Sequence, residues 1–149
     1  KPQLFRPADV DYVHSPERMG QMSNFISING GVQLDLMGQE NAESAGTRQL
    51  SGTGGQLDFL EGAFRSPGGK GFICMNSARK AKDGTLKSNI VPFIPAGSTV
   101  SAPRGMVQYV AGVVKLSGLS LPERARAMIS VAHPQFRGEL EAYAKENFR

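Results

Sequence analysis

The sequence contains no tryptophan and a single cysteine in 149 residues, and each of these facts argues against particular classes of protein. With one cysteine, Cys74, no disulfide can form within the chain, so a disulfide-stabilised scaffold is excluded. Cys74 lies in an apolar run, residues 72–75, where we expect a buried and unreactive thiol. Aromatic residues make up 7% of the chain, which argues against the stacking platforms of proteins that bind single-stranded nucleic acid.

Long apolar runs are also lacking. No stretch of the sequence approaches the ~20 apolar residues that a membrane-spanning helix needs, and the N-terminus has no secretory signal pattern. We therefore expect a cytoplasmic protein without a membrane partner. The chain begins at Lys1 rather than at Met, so we expect it to be a piece of a longer protein.

Histidine is scarce, which restricts the chemistry that the chain can support. His14 and His133 are far apart and neither lies in an HxxxH or HExxH pattern, so we predict no metal site and a structural role for both. The sequence has no GxSxG nucleophile elbow, although a Ser-His-Asp triad from separate segments stays compatible with its composition. It also lacks the Gly-Lys-Ser/Thr ending of a Walker loop.

The residues that are present fit one globular domain, residues 1–149. Hydrophobic residues make up 40% of the chain and charged residues 20%, which is ordinary for a folded domain. The 17 basic and 13 acidic residues leave a net charge of +4, which fits an anionic small molecule, a nucleic acid or no partner at all. The densest basic group flanks a predicted turn at residues 83–84, and we interpret it as a solvated hairpin tip: Arg79, Lys80, Lys82 and Lys87.

Alternating and continuous apolar runs predict several strands. Residues 24–29 and 32–36 alternate and are separated by glycines, which predicts a β-hairpin. The apolar run at residues 71–75 predicts an interior strand, with residues 85–94 as its partner across the turn. Further short strands are predicted at residues 98–101, 106–110 and 113–114.

Periodicity and capping residues predict helices at residues 16–21, 56–64, 120–131 and 134–148. In the second helix, one buried face should comprise Leu57, Leu60, Ala63 and Phe64. Ser120 and Glu123 form a capping box for the third helix, and His133-Pro134 should separate it from the fourth. The third helix should bury Ala125, Met128 and Ile129, and the fourth Phe136, Leu140 and Tyr143. Strands followed by covering helices indicate an α/β or α+β class.

The most distinctive stretch is SGTGGQLDFL, residues 51–60. Three glycines in four residues precede a helix whose free N–H groups and positive dipole end point into the loop. Glycine permits positive φ and the close approach of another group. Such a loop suits an anionic ligand, or an oxygen that becomes negative during a reaction. A simple tight turn is the alternative interpretation.

Several motifs in order resemble the C-terminal domain of the acetyl-CoA hydrolase/CoA-transferase family, which includes 4-hydroxybutyrate, acetate and butyrate CoA-transferases. Residues 51–59 resemble its SGxGGQxDF segment, and residues 28–39 resemble its INxxxQVDLMGQ stretch. Residues 121–137 resemble its RERAxxLIxIAHPxFR ending. Shorter matches lie at residues 70–75, 90–92 and 103–104. The resemblance covers essentially the whole chain and implies an α/β fold, an open sheet with covering helices, as in class I CoA-transferases.

The resemblance also implies an activity. In this family a glutamate attacks an acyl-CoA thioester, and CoA moves to a short-chain carboxylate through a glutamyl-CoA thioester. CoA and acyl-CoA would be substrates, with no permanently bound cofactor, and a homo-oligomer would be the working assembly. The family's oxyanion donor falls on the backbone N–H of Gly55. Gly52, Gly54 and Gln56 would shape the loop against the thioester end of CoA.

Three departures from the family pattern affect these expectations. The nucleophilic glutamate belongs to an SExxSDG-like motif that this sequence lacks, so an N-terminal domain is missing and this chain alone should be inactive. Residues 109–114 correspond to a Val-x-Thr-Glu-Tyr-Gly segment without Thr-Glu-Tyr, through either a deletion or an omitted loop. Many relatives have Asn, thought to help polarise the acyl carbonyl, at the position of His14, and that role is not transferred to His14.

We therefore predict a CoA-transferase domain without a nucleic-acid partner. An acyl-CoA hydrolase domain is the alternative, and a non-catalytic module that binds an anion or nucleic acid through the basic group is a remote alternative. The third predicts binding that weakens steeply with salt. The first two place the active site where this domain meets the missing one. That placement predicts an apolar face that is exposed in this chain.

Overall fold

The computed structural model describes residues 2–110, 112 and 114–148, and in them it has five α-helices and eleven short strands. The helices are α1 (Val10–Val13), α2 (Pro16–Gly20), α3 (Gln56–Arg65), α4 (Leu121–Val131) and α5 (Pro134–Asn147), after a 3₁₀ turn at Pro2–Leu4. The strands are β1 (Ile26–Gly30), β2 (Gln33–Asp35), β3 (Glu40–Asn41), β4 (Ser44–Ala45), β5 (Arg48–Gln49), β6 (Lys70–Cys74), β7 (Ala78–Lys80), β8 (Leu86–Ser88), β9 (Ile90–Val91), β10 (Tyr109–Val110) and β11 (Val114–Lys115). None of these helices has the length and apolar character of a membrane span.

The largest sheet contains four strands in the order β1-β6-β10-β11. β1, β6 and β10 run parallel, so that Phe72 lies between Ile28 and Tyr109, and β11 is antiparallel to β10. A smaller sheet has the order β3-β2-β9, and β4–β5 and β7–β8 form two hairpins. Helix α3 packs on β1 and β6, and α4 packs on β11. The predicted α/β class, an open sheet covered by helices, is confirmed.

A crossover between β1 and β6 determines where the glycine-rich loop lies. Parallel neighbours need such a connection, usually through a helix, and here α3 supplies its last part. The start of α3 lies beside the carboxyl end of β1, because Asn29, Gly55 and Gln56 line the same cavity. In open α/β sheets, ligands bind outside the carboxyl ends of the strands. The topology therefore places the loop at the edge of the sheet where a ligand is expected.

The predicted buried face of α3 is half correct. Leu60 and Ala63 are fully buried, whereas Leu57 and Phe64 are exposed. The buried arc continues from Ala63 to Gly62, where a Cβ would lie 2.6 Å from Met19 Cβ in α2. Contact with α2 therefore turns the helix so that Leu57 and Phe64 face away from the core.

The predicted hairpin between residues 24–29 and 32–36 is wrong. β1 pairs with β6, and β2 pairs with β3 and β9, so the two strands belong to different sheets. The favoured two-residue hairpin turns need positive φ, which neither Gly30 nor Gly31 has. Gly31 instead allows a close approach, because a Cβ there would lie 2.9 Å from Glu40 Oε1 and 3.1 Å from Ile73 Cγ2.

The predicted interior strand at residues 71–75 is confirmed as β6, which lies between β1 and β10. The prediction that residues 85–94 pair with it is wrong, because β8 pairs with β7 and β9 joins β2. The turn at residues 83–84 is confirmed, with Gly84 at a φ of 83°. Cys74 is half-buried rather than buried, since it ends β6.

The segment before β10 has less strand than predicted. Residues 98–101 form no strand, and Ala102 makes one isolated bridge to Glu40. Pro103 follows and has no N–H to extend the pairing. Residues 106–108 are not strand either, because Met106 N–H donates to Pro103 O in a turn. Ala111 and Val113, within the predicted departure from the family pattern, lie outside the described residues, and Val114 begins β11.

Helix ends follow the capping residues closely. Ser15 caps α2, and the capping box of Ser120 and Glu123 opens α4. His133 caps α5 by accepting the Gln135 N–H. As predicted, α4 and α5 bury Ala125, Met128, Ile129 and Leu140, with Phe136 and Tyr143 packed partly buried against the same core.

Candidate active site

Residues 51–55 form an irregular loop that leads into α3, with Gly55 at the N-cap position. Among the described residues, no side chain caps the start of this helix. Within the part of the chain that the structure describes, the Gly55 N–H donates no hydrogen bond. The loop therefore presents a free donor at the positive end of the α3 dipole, which suits a negatively charged oxygen.

The imidazole of His14 lies directly over Gly55. A Cβ on residue 55 would lie 2.3 Å from His14 Cε1, so a side chain there would displace the ring. His14 Nδ1 lies 3.6 Å from Asp58 Oδ2, and the ring meets Phe59 edge-on at 5.2 Å between centroids. His14 thus borders the predicted donor, at the position where the resemblance places an Asn near the acyl carbonyl in many relatives.

Two open cavities meet at Gln56, the first residue of α3. One, of about 480 Å³, lies between the start of α3 and β1, and its lining includes His14, Gly55 and Asn29. The other, of about 310 Å³, is lined by Gly52, Gly54 and Glu43, among others. Gln56 lines both cavities.

The three loop glycines do not use positive φ, contrary to one reason for expecting glycine there. At Gly55 the reason is space, because the His14 ring occupies the position of a Cβ. At Gly52 and Gly54, a Cβ would meet nothing within 4 Å in the described residues. Neither a positive φ nor a contact with the described residues therefore accounts for glycine at residues 52 and 54.

A buried carboxyl group that the sequence did not single out contacts the loop. Glu40 in β3 is 0% exposed, and its Oε2 accepts a hydrogen bond from Gln56 Nε2. The pKa of Glu40 is raised to about 8, chiefly because the group is buried; the Gln56 hydrogen bond opposes this rise and the negative charge of Glu43 adds to it. At neutral pH, Glu40 is therefore largely protonated.

Glu43 anchors the beginning of the glycine loop. Its backbone carbonyl accepts from Leu50 N–H at 2.7 Å and from Ser51 N–H at 3.2 Å. Its carboxylate accepts from Thr53 Oγ1 at 3.1 Å. Glu40 and Glu43 lie in a polar connecting segment without periodicity, and their only signal in the sequence was two carboxylates among small residues.

Two other features that the sequence raised, the basic group and a possible metal site, do not form a site in the described residues. The four basic side chains around the β7–β8 turn are exposed. In the described residues no group of three His, Cys, Asp or Glu side chains converges as metal ligands would. The chemistry that the arrangement supports is therefore stabilisation of a negative oxygen at Gly55.

A family comparison agrees with this geometry. The model of the acetyl-CoA hydrolase/transferase C-terminal domain matches residues 2–144. The chain belongs to the acetyl-CoA hydrolase/transferase family. Its motifs at residues 28–39, 51–59 and 121–137 are thus those of this family's C-terminal domain, as the resemblance implied.

Individual family members are similar across most of the chain. Butyryl-CoA:acetate CoA-transferase of Anaerostipes caccae is 45% identical over 89% of the chain, and 4-hydroxybutyrate coenzyme A transferase of Clostridium kluyveri is 46% identical over 93%. The crystal structure of RipA from Yersinia pestis superposes with a TM-score of 0.81 at 44% identity, covering 92% of this chain and 31% of RipA. The chain spans 30% and 32% of the length of the two transferases.

Proposed function

We propose that residues 1–149 form the C-terminal domain of a CoA-transferase, which moves CoA between an acyl-CoA and a short-chain carboxylate. The observation that carries the proposal is the Gly55 N–H at the start of α3, which donates no hydrogen bond within the described residues and belongs to a residue that lines a cavity beside β1. An N-terminal domain outside this chain would supply the nucleophilic glutamate. The matched transferases, of which this chain spans about a third, support that division.

In the proposed reaction, a glutamate oxygen attacks the thioester carbon and the carbonyl electrons move onto the oxygen. Collapse of this intermediate expels the CoA thiolate and leaves an acyl-glutamyl anhydride. The thiolate then attacks the glutamyl carbonyl, releasing the carboxylate and forming glutamyl-CoA. Each tetrahedral intermediate carries an oxyanion, and a positioned donor such as the Gly55 N–H contributes a factor of roughly 10²–10³ in rate.

Gly52, Gly54 and Gln56 would form the wall against the thioester end of CoA. Glycine at residues 52 and 54 is not required by φ or by contacts within the described chain. A bound molecule that approaches the backbone closely would account for glycine at both positions. CoA and acyl-CoA are then substrates, and the proposal needs no permanently bound cofactor.

The proposed assembly places the missing domain against β1. Ile26 and Ile28 lie on this strand and are 55% and 69% exposed. β1 has one neighbour, β6, in the described sheet, and the cavity at Gly55 opens beside it. An N-terminal domain docked there would cover the apolar residues and bring its glutamate to the site. We propose a cytoplasmic homo-oligomer of the full protein.

The Gly55 donor can be tested in the longer protein in a His14→Ala background. Removing the imidazole takes away the three atoms that would lie nearest to a Cβ at residue 55, and its φ of −78° suits proline. Gly55→Ala keeps the N–H and Gly55→Pro removes it. We expect the proline variant to have a kcat lower than the alanine variant by roughly 10²–10³-fold. Equal kcat values in the two double variants would refute the assignment.

Acyl-CoA hydrolysis is a second candidate, because the cavity at Gly55 is open and would admit water as acceptor. The family name includes both activities. Measuring thioester loss with and without added acetate separates them. A transferase should need the carboxylate and yield a new acyl-CoA, whereas a hydrolase should release free CoA at the same rate without it.

A further inference from the structure

Glu40 is held rigidly at the base of the glycine loop. Its backbone N–H donates to Ala102 O at 3.0 Å, and its carbonyl accepts from Ser101 N–H at 2.8 Å. Its side chain extends to Gln56, which binds Oε2, while Oε1 is buried without a partner in the described residues. An added Cβ on Gly31 would lie 2.9 Å from Oε1, so glycine at residue 31 makes room for this carboxyl group.

The contact with Gln56 acts one residue away from the proposed oxyanion donor. Gln56 is the first residue of α3 and follows Gly55 directly. No side chain of the described residues caps the start of α3, and the Glu40–Gln56 hydrogen bond links the first residue of this helix directly to the smaller sheet. A shift of Gln56 would alter both cavities, since it lines each of them.

We propose that Glu40 is a positioning residue for the transfer reaction: in its neutral form it holds Gln56, and through Gln56 the Gly55 N–H, in place for the oxyanion. This inference rests on the proposed function. Loss of the Glu40 proton would add a negative charge behind the loop and oppose the oxyanion. Activity should therefore decrease as Glu40 ionises.

The surroundings of Glu40 favour the neutral form. On β2, the apolar Leu34 lies opposite Glu40. The neighbouring Asp35 carboxylate accepts hydrogen bonds from the Met37 N–H and the Gln39 side-chain amide, and not from Glu40. From α3, Gln56 offers a neutral amide, while Asp58 faces His14. Glu43 is the neighbouring charge that raises the pKa of Glu40, with burial the larger cause of the rise to about 8.

Two substitutions in the longer protein distinguish the effect of the Glu40–Gln56 hydrogen bond from the effect of the Glu40 charge. Glu40→Gln keeps an acceptor for Gln56 but cannot ionise, and Glu40→Met removes the acceptor while filling similar space. At pH 7 we expect kcat to decrease about tenfold to hundredfold in Glu40→Met, the scale of a small misplacement of catalytic groups. Glu40→Gln should decrease it by less than about threefold.

The pH profile supplies the readout that a purely structural role would not change. The native protein should lose kcat/KM above pH 8, as Glu40 ionises. In Glu40→Gln this alkaline limb should disappear or move upward by at least about one pH unit. As a matched control, Asp35→Asn alters another buried carboxyl group of the smaller sheet and should leave the alkaline limb in place.

Hydrogen exchange of residues 51–60 tests the tie without using turnover. Exchange should be faster in Glu40→Met than in the native protein and close to native in Glu40→Gln. The same exchange rate in all three proteins overturns the inference, as does an alkaline limb that is identical in the native protein and Glu40→Gln. A native protein that transfers no CoA yet shows the expected exchange pattern would refute the proposed function and leave the Glu40–Gln56 tie supported.

Discussion

The buried Glu40 carboxyl group makes the stability of the domain depend on pH. Its pKa rises from 4.5 to about 8 on folding, chiefly because the carboxyl group is buried. Below pH 4.5 both the folded and the unfolded chain keep the proton, so this group contributes no difference. Between pH 4.5 and 8 only the folded chain keeps it. The free energy of unfolding therefore decreases as pH rises through this window and is lowest, for this group, above pH 8.

Replacing Glu40 with glutamine should remove that dependence. We expect the free energy of unfolding of Glu40→Gln, relative to the native chain, to increase between pH 5 and pH 8 by about 2–5 kcal/mol, since each pKa unit corresponds to ~1.4 kcal/mol. Urea unfolding of both proteins at several pH values measures the difference. A difference that stays constant with pH would show that Glu40 is ionised in the folded chain at neutral pH.

Among the elements, α4 is fixed to two loops by one buried cation. Arg124 is 8% exposed and donates to Met37 O at 3.2 Å, Arg104 O at 3.0 Å and Leu119 O at 3.3 Å. Burial lowers the pKa of Arg124, and the charge of Arg104 adds to this effect. All three acceptors are backbone carbonyls, so a guanidinium serves here to satisfy polar groups at loop ends.

Arg124→Met should destabilise the domain by about 2–3 kcal/mol, because three carbonyl groups lose their donor in a largely buried place. Arg126 is exposed on the same helix and provides the control, since Arg126→Met should change stability by less than about 0.5 kcal/mol. Chemical unfolding of the two variants gives the comparison. If Arg124→Met and Arg126→Met lost the same stability, the three hydrogen bonds of Arg124 to backbone carbonyls would not stabilise the domain.

The local signals in the sequence predict elements well and their partners poorly. Capping residues and periodicity located α3, α4 and α5, because those interactions lie within a few residues of each other. The pairing of β1 with β6 and of β8 with β7 depends on packing between distant segments, and alternation alone does not specify it. The loop at residues 51–55 was recognised from its glycines, whereas Glu40 became visible only when folding brought β3 to Gln56.

On the scale of the whole molecule, the chain leaves an apolar edge uncovered. Ile26 and Ile28 project from β1, where pairing exists on one side only in the described sheet. A solvent-exposed edge strand with large apolar side chains is prone to pair with other chains. In the proposed full protein the N-terminal domain would cover it.

The chain expressed alone should therefore self-associate and show no CoA transfer. Ile28→Asp should reduce the association, because a charge on the edge strand opposes pairing. Sedimentation velocity at several protein concentrations measures the effect. Val100, which is 45% exposed outside the strands, supplies the control Val100→Asp. If the control variant dissociated the chain equally, general charge repulsion rather than the β1 edge would be responsible.

The parallel pairing of β1 with β6 also has a consequence during synthesis. Ile26 pairs with Lys70, which is synthesised 44 residues later, and β10 follows only at Tyr109. At a translation rate of about 5–20 residues per second, the ribosome leaves β1 without its partner for several seconds. During that interval the backbone N–H and C=O groups of β1 lack the hydrogen-bond partners that β6 provides in the folded sheet, and unpaired strand edges of this kind favour aggregation.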